Sequence, residues 1–296
     1  MSQNNPRLGI FLMILTTFVF AMQDGISRHL AENYNVLMVV MIRYWFFVVF
    51  VLAYASMQKG GIRRVARSGM PILQFLRGVL LAAEICVTVL AYVYLGLIET
   101  HAIFAIFPLI VVALAGPMLG ESVGWRRWAA VGVGCIGMLI ILKPDNASFS
   151  AGSLIALSGA FMFAVYQLLT RYVARVDHAM TSFFWTGVGG SVVMTLIGPF
   201  YWEPIAPADQ LWMALLCVTG ATGHFLLIKT LEVAEAAVVQ PFTYFQIVFV
   251  SAIGLTVFGE KVGLNVVVGA LIIIAAGLFV TWRERVRAAQ RRSSRV

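Results

Sequence analysis

The sequence predicts an all-α integral membrane protein of ten transmembrane helices, built as two inverted five-helix repeats around a central cavity. Three observations carry that expectation. The chain is 61% apolar and 11% charged, with a mean hydropathy of +0.91, which no water-soluble domain of 296 residues tolerates. Apolar runs of about 18 to 24 residues follow one another almost without pause, each long enough to cross about 30 Å of hydrocarbon as a helix. One of them, FVFAMQDGISRHLA at 18–31, returns 143 positions later as FMFAVYQLLTRYVA at 161–174. Phe18, Phe20, Ala21, Arg28 and Ala31 recur there as Phe161, Phe163, Ala164, Arg171 and Ala174.

The ten runs lie at about 8–29, 36–56, 70–94, 97–119, 127–143, 151–173, 180–202, 210–231, 235–258 and 264–282. They are apolar on all sides, whereas barrel strands alternate polar and apolar over about ten residues. The first is too long for the apolar region of a signal peptide and no small-residue cleavage site closes it, so it reads as a span. It carries Gln23 and Asp24, and the second carries Arg43. Asp24 and Arg43 both sit roughly 10 Å below the same face, counted at about 1.5 Å per residue. Neighbouring antiparallel helices can join them as an ion pair, either a structural tie or part of a gate.

The third run holds Glu84 near mid-depth, with Arg77 two turns earlier and roughly 10 Å away, too far for direct contact. Glu84 is either a neutral, hydrogen-bonded packing group or a cavity group that binds a substrate ammonium or a proton. In the fourth, His101, Phe104 and Pro108 share one face at i, i+3 and i+7. In the sixth, Tyr166 and Gln167 take the places that Gln23 and Asp24 hold in the first, and inverted repeats face each other across a midplane site. His224 lies near the middle of the eighth run, and Gln240 and Tyr244 lie one turn apart on the ninth. His101 and His224 read either as packing histidines or as lining of a path. Pro108 and Pro241 interrupt spans four and nine and make them kinked, as static bends or as hinges. Gly132 and Gly137, and Gly269 and Gly277, mark either close helix packing in the fifth and tenth spans or a weak dimer face. Cys86, Cys135 and Cys217 fall in three different spans without metal-ligand spacing and read as small buried hydrophobes.

The net charge of +8 does not point to nucleic acid, because of where the cations lie. With ten spans and a cytoplasmic N-terminus, ten Lys and Arg fall in cytoplasmic segments and six more in the tail, sixteen in all. Three, Arg28, Lys143 and Lys261, fall outside, and Arg43 and Arg77 lie within spans. That asymmetry puts both termini in the cytoplasm and the basic tail against anionic lipid headgroups. Spans one and six are separated by five crossings, so the repeated helix runs in opposite directions, with Arg28 outside and Arg171 inside. GES at 120–122 and GEK at 259–261 continue the echo. The expected units are 1–146, 147–282 and the tail 283–296, in the five-plus-five inverted arrangement that secondary transporters use for alternating access. No HExxH, GxSxG or Walker motif occurs, and Asp24 is the one aspartate well inside a span, so neither an enzyme nor a primary pump is expected.

The stretch ETHAIFAIFPLIVVALAGPMLGESVGWRRWAAVGVGCIGMLIILKP at 99–144 resembles the end of the first half of an EamA-type member of the drug/metabolite transporter superfamily. AEAAVVQPF at 234–242, with FGEKVGLNVVVGALIIIAAGLF at 258–279, resembles the end of the second half. The resemblance implies two EamA-like repeats and a multi-pass protein of the bacterial inner membrane without cofactor or metal. It implies a broad amino acid exporter of the aromatic amino acid exporter type, with riboflavin, S-adenosylmethionine or drug transport as the alternative. The partners to expect are a small-molecule substrate, the bilayer and protons as a candidate coupling ion, with no nucleic acid.

Overall fold

In the computed structural model, described for residues 5–120, 124–143, 150–234 and 236–293, every regular element among those residues is helical. The helices are α1 (Pro6–Asn33), α2 (Val36–Ser56), α3 (Gly61–Ala66), α4 (Pro71–Leu95), α5 (Leu97–Phe104), α6 (Phe107–Leu119) and α7 (Trp125–Leu142). Then follow α8 (Ala151–Val173), α9 (Ala179–Ile197), α10 (Pro207–Val233), α11 (Ala236–Val239), α12 (Phe245–Thr256) and α13 (Leu264–Ser293). Among the described residues, nine helical segments are long and apolar enough to cross a membrane, and Phe242–Thr256 is a shorter apolar one. Their ends follow from local chemistry. Asn5 caps α1 by accepting the Leu8 N–H at 3.1 Å with Pro6 in the first turn, and Ser150 caps α8 by accepting the Ser153 N–H at 3.0 Å. Helix α13 outruns its apolar stretch because Arg, Glu, Ala and Gln that follow all favour helix.

Spans four and nine are not single kinked helices. Span four is α5 and α6 joined at Ala105–Ile106, and span nine is α11, a 3-10 turn at Gln240–Tyr244, and α12. Superposing Gly120 on Gly259, an offset of 139, sets the start of α5 at Leu97 on the start of α11 at Ala236, and His101 on Gln240. Both repeats are therefore broken at the same place. Pro108 stands just after the first break, in the opening turn of α6, and Pro241 inside the second, so the two prolines are not equivalent positions. The side chains of Gln240 and Pro241, and all of Glu121 and Ser122, lie outside the described residues.

The packing repeats with the halves exchanged. Helix α1 packs on α10 as α8 packs on α4, α1 on α12 as α8 on α6, and α2 on α10 as α9 on α4. The pairs α2–α9 and α7–α13 map onto themselves. In the last pair a Cβ on Gly137 would lie 2.8 Å from the Gly269 carbonyl, and one on Gly269 would lie 2.5 Å from the Gly137 carbonyl. Gly132 meets nothing, whereas Gly277 makes room for the Tyr244 hydroxyl. Of the three cysteines, only Cys217 is buried as expected, and Cys135 is exposed on α7.

Candidate functional site

Polar side chains buried in the bundle fall into four groups. The first joins α1, α5 and α12. Asp24 Oδ2 accepts from Gln246 Nε2 at 2.9 Å and lies 3.1 Å from His101 Nε2, while His101 Nδ1 lies 2.9 Å from the Leu97 carbonyl. A carbonyl only accepts, so Nδ1 carries a proton and donates. The contact between Nε2 and Oδ2 is a hydrogen bond when a proton sits on either atom, and Gln246 Nε2 lies 3.5 Å from the same imidazole nitrogen. Tyr92 stacks on His101, ring centroids 5.4 Å apart and planes 8° from parallel. The expected Asp24–Arg43 ion pair is not formed. Depth along two helices sets a common height but not which faces meet, and Asp24 turns toward α5 and α12.

The second group is Glu84 on α4. It is 4% exposed and accepts from Thr88 Oγ1 at 2.7 Å, with no salt bridge to any described residue. The third surrounds Arg77, 1% exposed, which donates to Gln74 Oε1 at 3.1 Å, Tyr166 hydroxyl at 2.9 Å, Thr170 Oγ1 at 3.1 Å, Thr186 Oγ1 at 2.8 Å and the Ser182 carbonyl. Tyr166 is thus engaged by Arg77, and Gln167 beside it is half-buried on α8. The fourth is Arg43, Tyr44 and His224, which border a small void between α2, α4 and α10, with Gln23 of α1 beside Arg43 at Gly220. His224 sits between Phe20 and Phe47, with centroids 5.3 and 5.6 Å away.

Both faces of the bundle are tied. At the face away from the termini, Arg28 pairs with Glu260 and with Glu32 and lies 4.1 Å over the Phe258 ring. Glu260 also accepts the Leu97 and Ile98 amides at 2.7 and 3.0 Å, an anion set on the first turn of α5. Gly96, at φ +84°, leaves room for that carboxylate, since a Cβ there would lie 2.7 Å from Glu260 Oε1. Asp209 on the same face accepts from Tyr34 at 2.8 Å and meets His29 at 2.9 Å. At the termini face, Asp177 binds Ser68, the Gly69 amide at 2.8 Å and Gln74 at 2.8 Å. Desolvation raises the Asp177 pKa, but those three donors outweigh it and hold the carboxyl below its usual range. Arg171 ends α8 on this face.

Gln246 was not among the residues singled out from sequence. Its signal was an amide inside the run FTYFQIVFV, one turn from its neighbours in span nine. Glu260 was visible in GEK and Arg28 in the repeat, but nothing in the sequence joined them.

A ten-span bundle of two inverted halves, broken in corresponding spans and lined there by polar side chains, is a secondary-transporter architecture. The profile of the EamA-like transporter family matches residues 7–143 and again 150–282, and the chain belongs to that family. The S-adenosylmethionine uptake transporter of Rickettsia prowazekii (strain Madrid E) is 25% identical over 280 residues, covering 94% of this chain and 93% of the relative. The riboflavin transporter of Vibrio cholerae is 26% identical over 302 residues, covering 98% of each. A solved structure titled "Crystal structure of protein" has a TM-score of 0.62 at 15% identity, covering 96% of this chain and 99% of its own, and shares the fold. The protein is a multi-pass membrane transporter of the drug/metabolite type.

Proposed function

We propose that the protein moves a small organic cation that also carries an amino acid headgroup, with S-adenosylmethionine as the first substrate to test. The observation that supports this reading is Glu84: a carboxylate at mid-depth, 4% exposed, hydrogen-bonded to Thr88 and paired with no basic side chain among the described residues. An unpaired charge at that depth costs several kcal/mol and is a functional group by default. The single negative charge of Glu84 matches a solute whose ammonium and sulfonium outweigh one carboxylate by one. Riboflavin, a neutral ring system, makes no use of it. The broad export of neutral and aromatic amino acids expected from sequence shares the headgroup chemistry, but the relatives' names do not favour it. Purified protein in liposomes should take up labelled S-adenosylmethionine saturably, with excess unlabelled compound suppressing the signal. Flux of riboflavin, or of neutral amino acids, without S-adenosylmethionine flux would overturn the assignment.

The coupling ion in this reading is the proton shared by Asp24 and His101, and the membrane is the bacterial inner membrane. The sixteen-to-three distribution of cations supports cytoplasmic termini, and on that reading the Arg28–Glu260 tie faces outward and the Asp177 cluster inward. Single cysteines near Arg64 and near Pro207, in a cysteine-free background, are expected to react with an impermeant reagent from opposite sides. Reaction of both from outside would sink the topology.

A further inference from the structure

The repeat supplies an internal comparison between the two intramembrane arginines. At the offset of 143 that relates α1 to α8, Gln23 corresponds to Tyr166, Arg43 to Thr186 and Gly220 to Arg77. The structure agrees with that mapping. Arg77 of α4 reaches Tyr166 on α8 and Thr186 on α9, and in the other half Arg43 of α2 lies against Gly220 of α10 beside Gln23 of α1. A Cβ on Gly220 would stand 3.0 Å from Arg43 Nε and 3.5 Å from Gln23 Oε1. One pseudo-equivalent place thus holds a guanidinium entering from the third span, the other a guanidinium entering from the second.

Their surroundings differ. Arg77 is met by five acceptors. Arg43 is 93% buried, at 7% exposure, yet makes no hydrogen bond or salt bridge to any described residue. Nearby, two polar atoms are buried without a partner: the Tyr44 hydroxyl, on a side chain 2% exposed, and Gln23 Oε1, on one 6% exposed. Buried polar groups are ordinarily satisfied, because leaving them unmade costs the full desolvation penalty. Arg43 and Tyr44 border one void and Gln23 Oε1 adjoins Arg43 at Gly220, and together they make a hydrogen-bonding site without its partner. The void holds about 10 Å³, room for a single water, so a larger occupant enters only when the helices part.

We infer that Arg43, the Tyr44 hydroxyl and Gln23 form the subsite for the carboxylate end of the transported molecule. The guanidinium fork accepts a carboxylate through two parallel N–H donors, the phenol adds a third donor, and Gln23 Oε1 accepts from an adjacent ammonium. This deepens the transport reading above and rests on it: Glu84 supplies the acid, and Arg43 supplies the group that fixes which end of the solute goes where. The site then selects against otherwise identical amines that lack a carboxylate, because such a molecule leaves Arg43 buried and unmet.

The test uses matched pairs in liposomes carrying the full chain: S-adenosylmethionine against its decarboxylated form, and L-phenylalanine against phenethylamine. The parent is expected to favour the carboxylate-bearing member by about tenfold or more in KM, as charge-assisted pairing in a dry site gives. Arg43→Gln should bring the pairs within about twofold, and Tyr44→Phe should narrow them part of the way. Neither should lower the melting midpoint, since Arg43 contributes no bond to the folded protein. Transport of S-adenosylmethionine without discrimination against the decarboxylated form overturns the subsite alone. A fall in the melting midpoint of Arg43→Gln, with discrimination kept in Tyr44→Phe, overturns it as well. Carboxylate-dependent binding of phenylalanine without S-adenosylmethionine flux keeps the subsite and overturns the proposed substrate. Binding of none of the four overturns both.

Discussion

Replacing Arg77 by alanine is expected to lower the melting midpoint of the detergent-purified protein by on the order of 10 °C, equivalent to about 3 kcal/mol or more. The guanidinium ties α4 to α8 through Tyr166 and Thr170 and to α9 through the Ser182 carbonyl and Thr186. Its loss leaves Gln74 Oε1 without the donor that Arg77 supplies, removes the bond to the Tyr166 hydroxyl and opens a cavity where a fully buried side chain stood. Thr170 and Thr186 keep their bonds to the Tyr166 and Ser182 carbonyls, which bounds the damage. Arg77→Lys should fall between parent and alanine, because an ammonium has three donors and cannot reach acceptors spread around a planar fork. Specific transport per folded molecule should change less than the yield of folded protein. A melting midpoint within about 2 °C of the parent would show that the network is not what joins these helices.

What the sequence made legible follows from the range of the physics involved. Hydrocarbon thickness acts on single spans, so ten apolar runs were readable, and all ten correspond to helical segments or broken helices. The inverted repeat was readable because Arg28 and Arg171 recur at fixed offset, and the exchange of helix contacts between halves follows from it. Partner choice was not readable. Asp24 and Arg43 share a depth, but hydrophobic periodicity is nearly silent in helices that are apolar all round, so it did not show that Asp24 faces His101 and Gln246 while Arg43 faces Gly220. The breaks in spans four and nine were sensed through Pro108 and Pro241, yet they lie at Ala105–Ile106 and Gln240–Tyr244, and while His101 turns to Asp24, Tyr244 turns away to Gly277 of α13. Tyr166 shows the same limit, since its equivalence to Gln23 gave its place and not its engagement by Arg77.

The tie at the face away from the termini bears on how such a bundle switches. Arg28 belongs to the first repeat, Glu260 to the second, and the amides that Glu260 caps start α5, so one carboxylate holds three elements together. If that face opens at this tie, Glu260 parts from the first turn of α5, the same half-helix that carries His101 one turn further in. Movement of α5 is thus linked to the geometry of the Asp24–His101 contact.

Asp24→Asn is therefore expected to abolish accumulation driven by a pH gradient while sparing exchange. His101 Nδ1 is committed to the Leu97 carbonyl, so the proton between Nε2 and Asp24 Oδ2 can leave or arrive only at that contact. Asparagine keeps the size and can still meet the imidazole and Gln246, but it has no carboxyl to share a proton. In liposomes clamped at zero membrane potential, one proton per substrate sustains about a tenfold concentration ratio per pH unit, since each unit is worth about 1.4 kcal/mol. The parent should approach that ratio for S-adenosylmethionine, and Asp24→Asn should fall to a ratio of about one with counterflow of labelled substrate retained. His101→Gln, which also removes the shared proton, should behave alike. Accumulation at the parental ratio in both variants would assign the Asp24–His101 pair to packing and place the coupling elsewhere.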